Sequence, residues 1–306
     1  MENFNISDEE FSLVKRQRRE KQHEEYKYLH LLQDIIEKGV EKSDRTGTGT
    51  KSLFGAQLSF DVSNSFPILT TKKVFFRGVV EELLWFIRGE TDSKKLEVKG
   101  VNIWKGNTSR EFLDNRSLDY PEGEIGPCYG FLWRHWGGVY GDKESGGIDQ
   151  LAKIVNVIVN NPNDRRMVIS AWDVDNLDKM ALNPCHILHQ YYVENGRLNL
   201  MWYQRSNDFF LGSTFNICSY ALLTCLVAKI TGLIPGSITY AMADTHVYLN
   251  HIDQAKEQLT RVPYPFPKLN IKKDIKTLKD IENLQFEDFE LIGYQSHPAI
   301  KATMAI

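Results

Sequence analysis

Beyond its charged start, the chain alternates between two spacings of apolar residues. Tyr28, Leu32, Ile35 and Ile36 recur at helical intervals until Gly39 supplies a stop. In AQLSFDV the period changes to two, with Ala56, Leu58, Phe60 and Val62 alternating with polar neighbours as in a half-buried strand. FRGVVEELLWFIRG predicts a strongly apolar helix. GIDQLAKIVNVIVNNP predicts another, with Ile148, Leu151, Ile154, Val155 and Ile158 on one face before an Asn-Pro stop.

Extended segments follow: MVISAW, CHILHQYYVE and RLNLMWYQ, the last two joined by Asn195-Gly196, the dipeptide of a tight hairpin. NICSYALLTCLVAKITG is apolar nearly all round and ends at Gly232, which predicts a buried central helix. The strand SITYAMA then leads into DTHVYLNHIDQAKEQL. No repeat, linker or compositional break interrupts the pattern. The expectation is one α/β domain of the α+β kind, a mixed or antiparallel sheet packed by helices.

Composition narrows the function classes. At 42% hydrophobic, 25% charged and a net charge of −3 over 306 residues, the chain has the balance of a globular protein with no whole-surface field for DNA. No run reads as long and apolar enough to span a bilayer, and MENFNISDEE lacks the form of a signal peptide. The charge-dense KRQRREKQHEE predicts a flexible extension over residues 1–25, whose KRQRR leaves nuclear import open. Cys128, Cys185, Cys218 and Cys225 show neither metal-ligand nor disulfide spacing, so a cytoplasmic, reducing location and no metal are expected.

Two residue types carry candidate chemistry. Cys185 lies between Pro184 and His186, with Arg205 across the predicted hairpin; a nearby cation favours the reactive thiolate, yet a lone cysteine is equally at home in a core. Arginine is the second: Arg45 in a Gly/Thr-rich turn, the pair Arg165-Arg166, and Arg205, each a planar fork suited to a phosphate.

DRTGTGT, FPILTTKKVF, EELLWFIRG, GPCYGFLWRH, DRRMVISAW, MALNPCH, YQRSND, FNICSYALL and DTHVYLNH occur in the order found in thymidylate synthases, and the chain resembles that family from about Tyr26 to its end. The resemblance implies a thymidylate synthase-like catalytic domain over 26–306 and a homodimer through the sheet. It implies reductive methylation of dUMP to dTMP with 5,10-methylenetetrahydrofolate as co-substrate, giving dihydrofolate. It makes Cys185 the nucleophile that adds to uracil C6, with Glu82 and Tyr129 ordering water for proton transfers and His186 framing the thiol. Arg205 and Asp208 stand with them among the catalytic residues. Arg45, Arg205 and Ser206 would bind the phosphate, joined by Arg165 and Arg166 from the partner subunit. Asn216 would read the uracil edge, and His246 and Tyr248 the 3′-hydroxyl. Asp208 would accept from the pterin, Trp104 and Asn107 would line the cofactor side, Lys72 would anchor the glutamyl tail, and the C-terminal segment with Ala305 would close over the folate.

Several positions depart from the family pattern: Lys105, Asp173, Thr214, Ala243, Leu132 and Cys128. Lys105 and Asp173 read as a linked pair at the folate side. Ala243 would bring strain if its φ were positive. Two other functions remain compatible with the residues: a catalytically weakened homologue that binds nucleotide or RNA, and a dUMP or dCMP hydroxymethylase.

Overall fold

The computed structural model describes residues 23–44 and 46–303. Thus Arg45, Ala305 and all but the last few residues of the expected 1–25 extension lie outside the described residues. Helix α1, Glu25–Lys38, buries Tyr28, Leu29, Leu32, Ile35 and Ile36, the face set by the sequence period. Its first residue belongs to the folded body. The buried Glu25 carboxylate accepts hydrogen bonds from the backbone N–H and hydroxyl of both Thr70 and Thr71, at 2.6–2.9 Å.

Strands β1, Val40–Lys42, and β2, Thr50–Asp61, are followed by helix α2, Phe76–Ile87, and the short helices α3, Lys94–Glu97, and α4, Arg110–Asn115. Helices α5, Tyr129–His135, and α6, Gln150–Asn160, precede β3, Val168–Ser170, β4, His186–Glu194, and β5, Arg197–Asp208. Helix α7, Gly212–Thr231, leads to β6, Ile234–Tyr248, and helix α8, Ile252–Leu259. The chain closes through β7, Lys268–Ile271, α9, Leu278–Glu282, and β8, Phe289–Ile292.

Six strands form one sheet in the order β1-β2-β6-β5-β4-β3, while β7 and β8 make a separate pair. The large sheet is mixed. Every neighbour pair is antiparallel except β5 and β6, which run parallel because α7 carries the chain between them. Asn195 and Gly196 turn the β4–β5 hairpin with φ of 49° and 73°, the left-handed geometry their dipeptide predicts.

The sheet has two unlike faces. One register row runs Ile169, His189, Trp202, Tyr240 and Leu58, and all five are buried beneath the helices. Trp202 is stacked between Tyr220 of α7 and Tyr240, at 4.5 and 4.2 Å. The neighbouring row runs Val168, Gln190, Met201, Thr239 and Ser59 on the opposite face, where Met201 is 45% exposed and Tyr192 58%.

Three sequence expectations change. Helix α6 begins at Gln150, so Ile148 is not on its face: it pairs with Trp136 as an isolated bridge and is 51% exposed. Asp149 explains the start, since its carboxylate caps the N–H of Ala152. Strand β6 continues through Asp244–Tyr248, because both β2 and β5 pair with that stretch. Finally, α7 is long and apolar enough by composition to cross a membrane, contrary to the sequence reading; most of it is buried inside this fold.

Candidate active site

The start of β4, the end of β5 and the first turns of α7 converge on Cys185. The hairpin register places Arg205 opposite, so that the Arg205 N–H donates to the Cys185 carbonyl at 2.9 Å. The Arg205 side chain then turns back along the incoming loop. Its Nε donates to Pro184 O and its Nη2 to Asn183 O, both at 2.8 Å, leaving Nη1 without a partner among the described residues. Burial pushes the Cys185 thiol up, and the Arg205 guanidinium opposes that by favouring the thiolate.

Tyr129 holds the other side of the loop. Its hydroxyl accepts the Cys185 N–H at 2.8 Å, and its ring stacks on His186 at 4.5 Å. Tyr129 opens α5 with a φ of 23°, unusual for a bulky residue. The helix behind it cannot be moved away freely. A side chain on Gly130 would sit 2.8 Å from Glu90 O and 3.0 Å from Phe86 O, so α5 packs against the end of α2 at glycine distance.

Glu82 reaches the same cluster from α2. Trp104 Nε1 donates to its carboxylate at 2.8 Å, while the low-dielectric surroundings raise its pKa to about 7. His186 shifts the opposite way. Burial lowers its pKa to about 3, and its Nδ1 lies 3.1 Å from the Tyr220 hydroxyl. His186 is thereby neutral at physiological pH and not poised to take a proton from the thiol.

On α7, the Asn216 side-chain oxygen accepts from Gln204 Nε2 at 3.2 Å, and Gln204 Oε1 accepts from Tyr240 at 2.6 Å. Gln204 also donates to Ser206 O at 3.1 Å. The buried Gln204 therefore fixes which way the Asn216 amide faces. Sequence reasoning missed both Gln204 and Tyr220, although each lies within a quoted motif; for Gln204 the available signal was its place two residues after Trp202 on the inner face of β5.

At the far end of β5, Asp208 Oδ1 accepts from the backbone of Phe210 and Leu211, at 3.1 and 3.0 Å, and Oδ2 has no partner among the described residues. Register sets Asp208 beside His246 and Ser206 beside Asp244. His246 Nδ1 is 2.9 Å from Asp244 Oδ1, which also takes the Ser52 hydroxyl, and Tyr248 meets the His246 ring edge-on at 5.3 Å. Trp104 and Asn107 are buried in and beside the 106–108 turn.

Not every expected residue joins this cluster. Arg165 and Arg166 are exposed: Arg166 pairs with Asp164 at 2.9 Å, and the Arg165 carbonyl accepts from Gln190. Lys72 points inward. Its ammonium donates to Phe210 O and lies 3.6 Å from the centre of the Phe210 ring, and burial lowers its pKa to about 7. Nor do Lys105 and Asp173 pair. Asp173 accepts from Asn176 at 2.7 Å, while Lys105 is exposed and the nearby Glu122 pairs with Lys94 at 2.6 Å.

The other departures are accommodated. Ala243 sits in β6 outside the positive-φ set and brings no strain. The Thr214 hydroxyl donates to Leu211 O at 2.9 Å, Leu132 is fully buried, and the Cys128 thiol meets Leu182 O at 3.5 Å.

A sequence model of the thymidylate synthase family matches residues 26–306. The chain is 51% identical to thymidylate synthase 1/2 of Encephalitozoon cuniculi, covering 92% of this chain and 98% of that protein. To the thymidylate synthase of Homo sapiens it is 50% identical, covering 93% and 91%. It is also 50% identical to the bifunctional dihydrofolate reductase-thymidylate synthase of Zea mays over 93% of this chain. The chain spans about half the length of such bifunctional relatives, 55% in that case.

Proposed function

Because the chain belongs to the thymidylate synthase family, we propose that it converts dUMP to dTMP, with methylenetetrahydrofolate as co-substrate and Cys185 as nucleophile. The observation that carries this reading is the seating of Cys185 between Arg205 and Tyr129, a partly buried thiol with a cation to favour its ionised form. That arrangement suits addition to C6 of the uracil, which makes C5 nucleophilic.

The remaining groups divide the work. Arg205 keeps one N–H pair free for a phosphate while its other nitrogens hold the 183–184 loop. Ser206 and Arg45 would complete this subunit's share of the anion site. Asn216, oriented by Gln204, offers an amide to the pyrimidine edge. Glu82, with a pKa near 7, can hold a proton or release one within the pH range where the reaction must run. His246 and Tyr248 offer polar groups at the sugar end of the strand pair.

For the folate, the open Oδ2 of Asp208 is an acceptor for pterin N–H groups, and the Trp104 indole and Asn107 amide suit the same ring. When bound, the co-substrate supplies the one-carbon unit and the hydride. We assign residues 26–306 to this one catalytic domain and the C-terminal segment with Ala305 to closure over it.

The uncovered sheet face supports a homodimer, since Val168, Met201 and Tyr192 leave apolar area without a helical cover. Arg165 and Arg166, exposed and apart from the Cys185 cluster, would then serve the neighbouring site. Four free thiols support a cytoplasmic location. Absorbance at the dihydrofolate band on mixing protein, dUMP and methylenetetrahydrofolate tests the activity, and product mass identifies the nucleotide. No dihydrofolate would refute the reading. Hydroxymethyl-dUMP would replace it with a hydroxymethylase, and RNA retention without turnover with a binding protein.

A further inference from the structure

His186 and Tyr220 face each other across the inner side of the site, from the start of β4 and the third turn of α7. The Tyr220 hydroxyl is 3.1 Å from His186 Nδ1 and has no other partner among the described residues. Tyr220 is 3% exposed and packed against Trp202. His186 is fixed in orientation as well: its ring stacks on Tyr129 at 28° between planes and meets Phe86 and Tyr220 edge-on, at 6.3 and 5.6 Å.

Two proton arrangements fit that contact. If His186 Nδ1–H donated to the phenol oxygen, the Tyr220 proton would be buried without an acceptor, at a cost of about 1–3 kcal/mol. If Tyr220 donates to Nδ1, nothing is left unmet: the ring proton sits on Nε2, the nitrogen for which the described residues provide no partner. Burial lowers the His186 pKa to about 3 and raises that of Tyr220 well above the ordinary phenol value, so both groups stay neutral. The neighbouring ionisable groups, Glu82, Tyr129, Cys185 and His189, do not bond to either ring nitrogen.

We infer that Tyr220 is a positioning residue that locks His186 in the Nε2–H tautomer, so that His186 presents an N–H donor at the Cys185 site and cannot act as a general base toward the thiol. The inference rests on the reading of the Cys185 cluster as the reaction site. His186 is then a donor for an acceptor atom of the substrate or of an ordered water, and the stack on Tyr129 relays its orientation to the hydroxyl that holds the Cys185 N–H.

Two-bond proton–nitrogen correlation on protein labelled with nitrogen-15 at its eight histidines reads the tautomer directly, and His186→Gln assigns the signal. The wild type should show a protonated Nε2 and bare Nδ1, unchanged between pH 5 and 9. Tyr220→Phe should abolish that preference and lower kcat roughly tenfold at an unchanged KM for the nucleotide. His186→Gln, whose amide nitrogen reaches toward the place of Nε2, should retain more activity than His186→Asn. A protonated Nδ1 in the wild type, or an unaltered tautomer in Tyr220→Phe, overturns the inference. If the protein makes no dTMP but shows the Nε2–H signature, the tautomer assignment stands and the activity assignment falls.

Discussion

At Cys185, two opposing influences can be separated by one substitution. Burial raises the thiol pKa and Arg205 lowers it, so Arg205→Leu should shift the alkylation profile of Cys185 by iodoacetamide to higher pH. An unmoved profile would show that the cation does not act on the sulfur. Glu82 gives a second test, with its sign fixed by linkage. A carboxyl raised in the fold from 4.5 to about 7 favours the protonated folded state, a contribution complete below pH 4.5 and lost as pH rises through 7. Glu82→Gln should flatten the stability curve across that window by about 3 kcal/mol and remove a limb near pH 7 from the kcat/KM profile. At this scale the sequence exposed the motif residues themselves. It did not expose their supports, because Gln204 matters through Tyr240 and Tyr220 through His186, partners 36 and 34 positions away in sequence.

Elements were legible where period and punctuation agreed. The hairpin at Asn195-Gly196 and the stop at Gly232, which adopts a φ of 71° after α7, follow from local chemistry alone. The extension of β6 over Asp244–Tyr248 does not, since two neighbouring strands impose it on a segment that also contains site residues. Ile148 shows the converse error: its apolar character fits a helix face, but the Asp149 cap begins the helix after it. The fit of α5 on α2 carries its own expectation. Gly130→Ala must push α5 off two backbone carbonyls and take Tyr129 away from the Cys185 N–H. Activity should fall at least tenfold while Cys185 itself is intact, with a loss of roughly 1–3 kcal/mol in urea unfolding. Full activity in that variant would mean that Tyr129 need not be held where it is.

For the whole molecule, buried histidines set the acid limit. His186 and His189 are both lowered by burial to about 3, so each stabilises the fold above pH 6.5 and gives that contribution up as pH falls toward 3. His189→Leu should make the acid limb of stability shallower by about 1.4 kcal/mol per pH unit, measured by urea titration from pH 6 to 4. The open sheet face makes an assembly prediction. Mixed subunits carrying Cys185→Ala on one chain and Arg165→Ala with Arg166→Ala on the other should regain activity after exchange, and Met201→Lys should raise the sedimentation dissociation constant. Exchange without recovered activity would rule out shared sites. The burial of α7 also has a temporal side. On the ribosome, the twenty residues of this helix are complete before the first residue of β6, so the nascent chain carries a membrane-like segment that can pack on β5 but still lacks β6, the other strand that covers it. A chain truncated just after Gly232 therefore keeps this apolar helix without β6 and should aggregate more readily than the full chain.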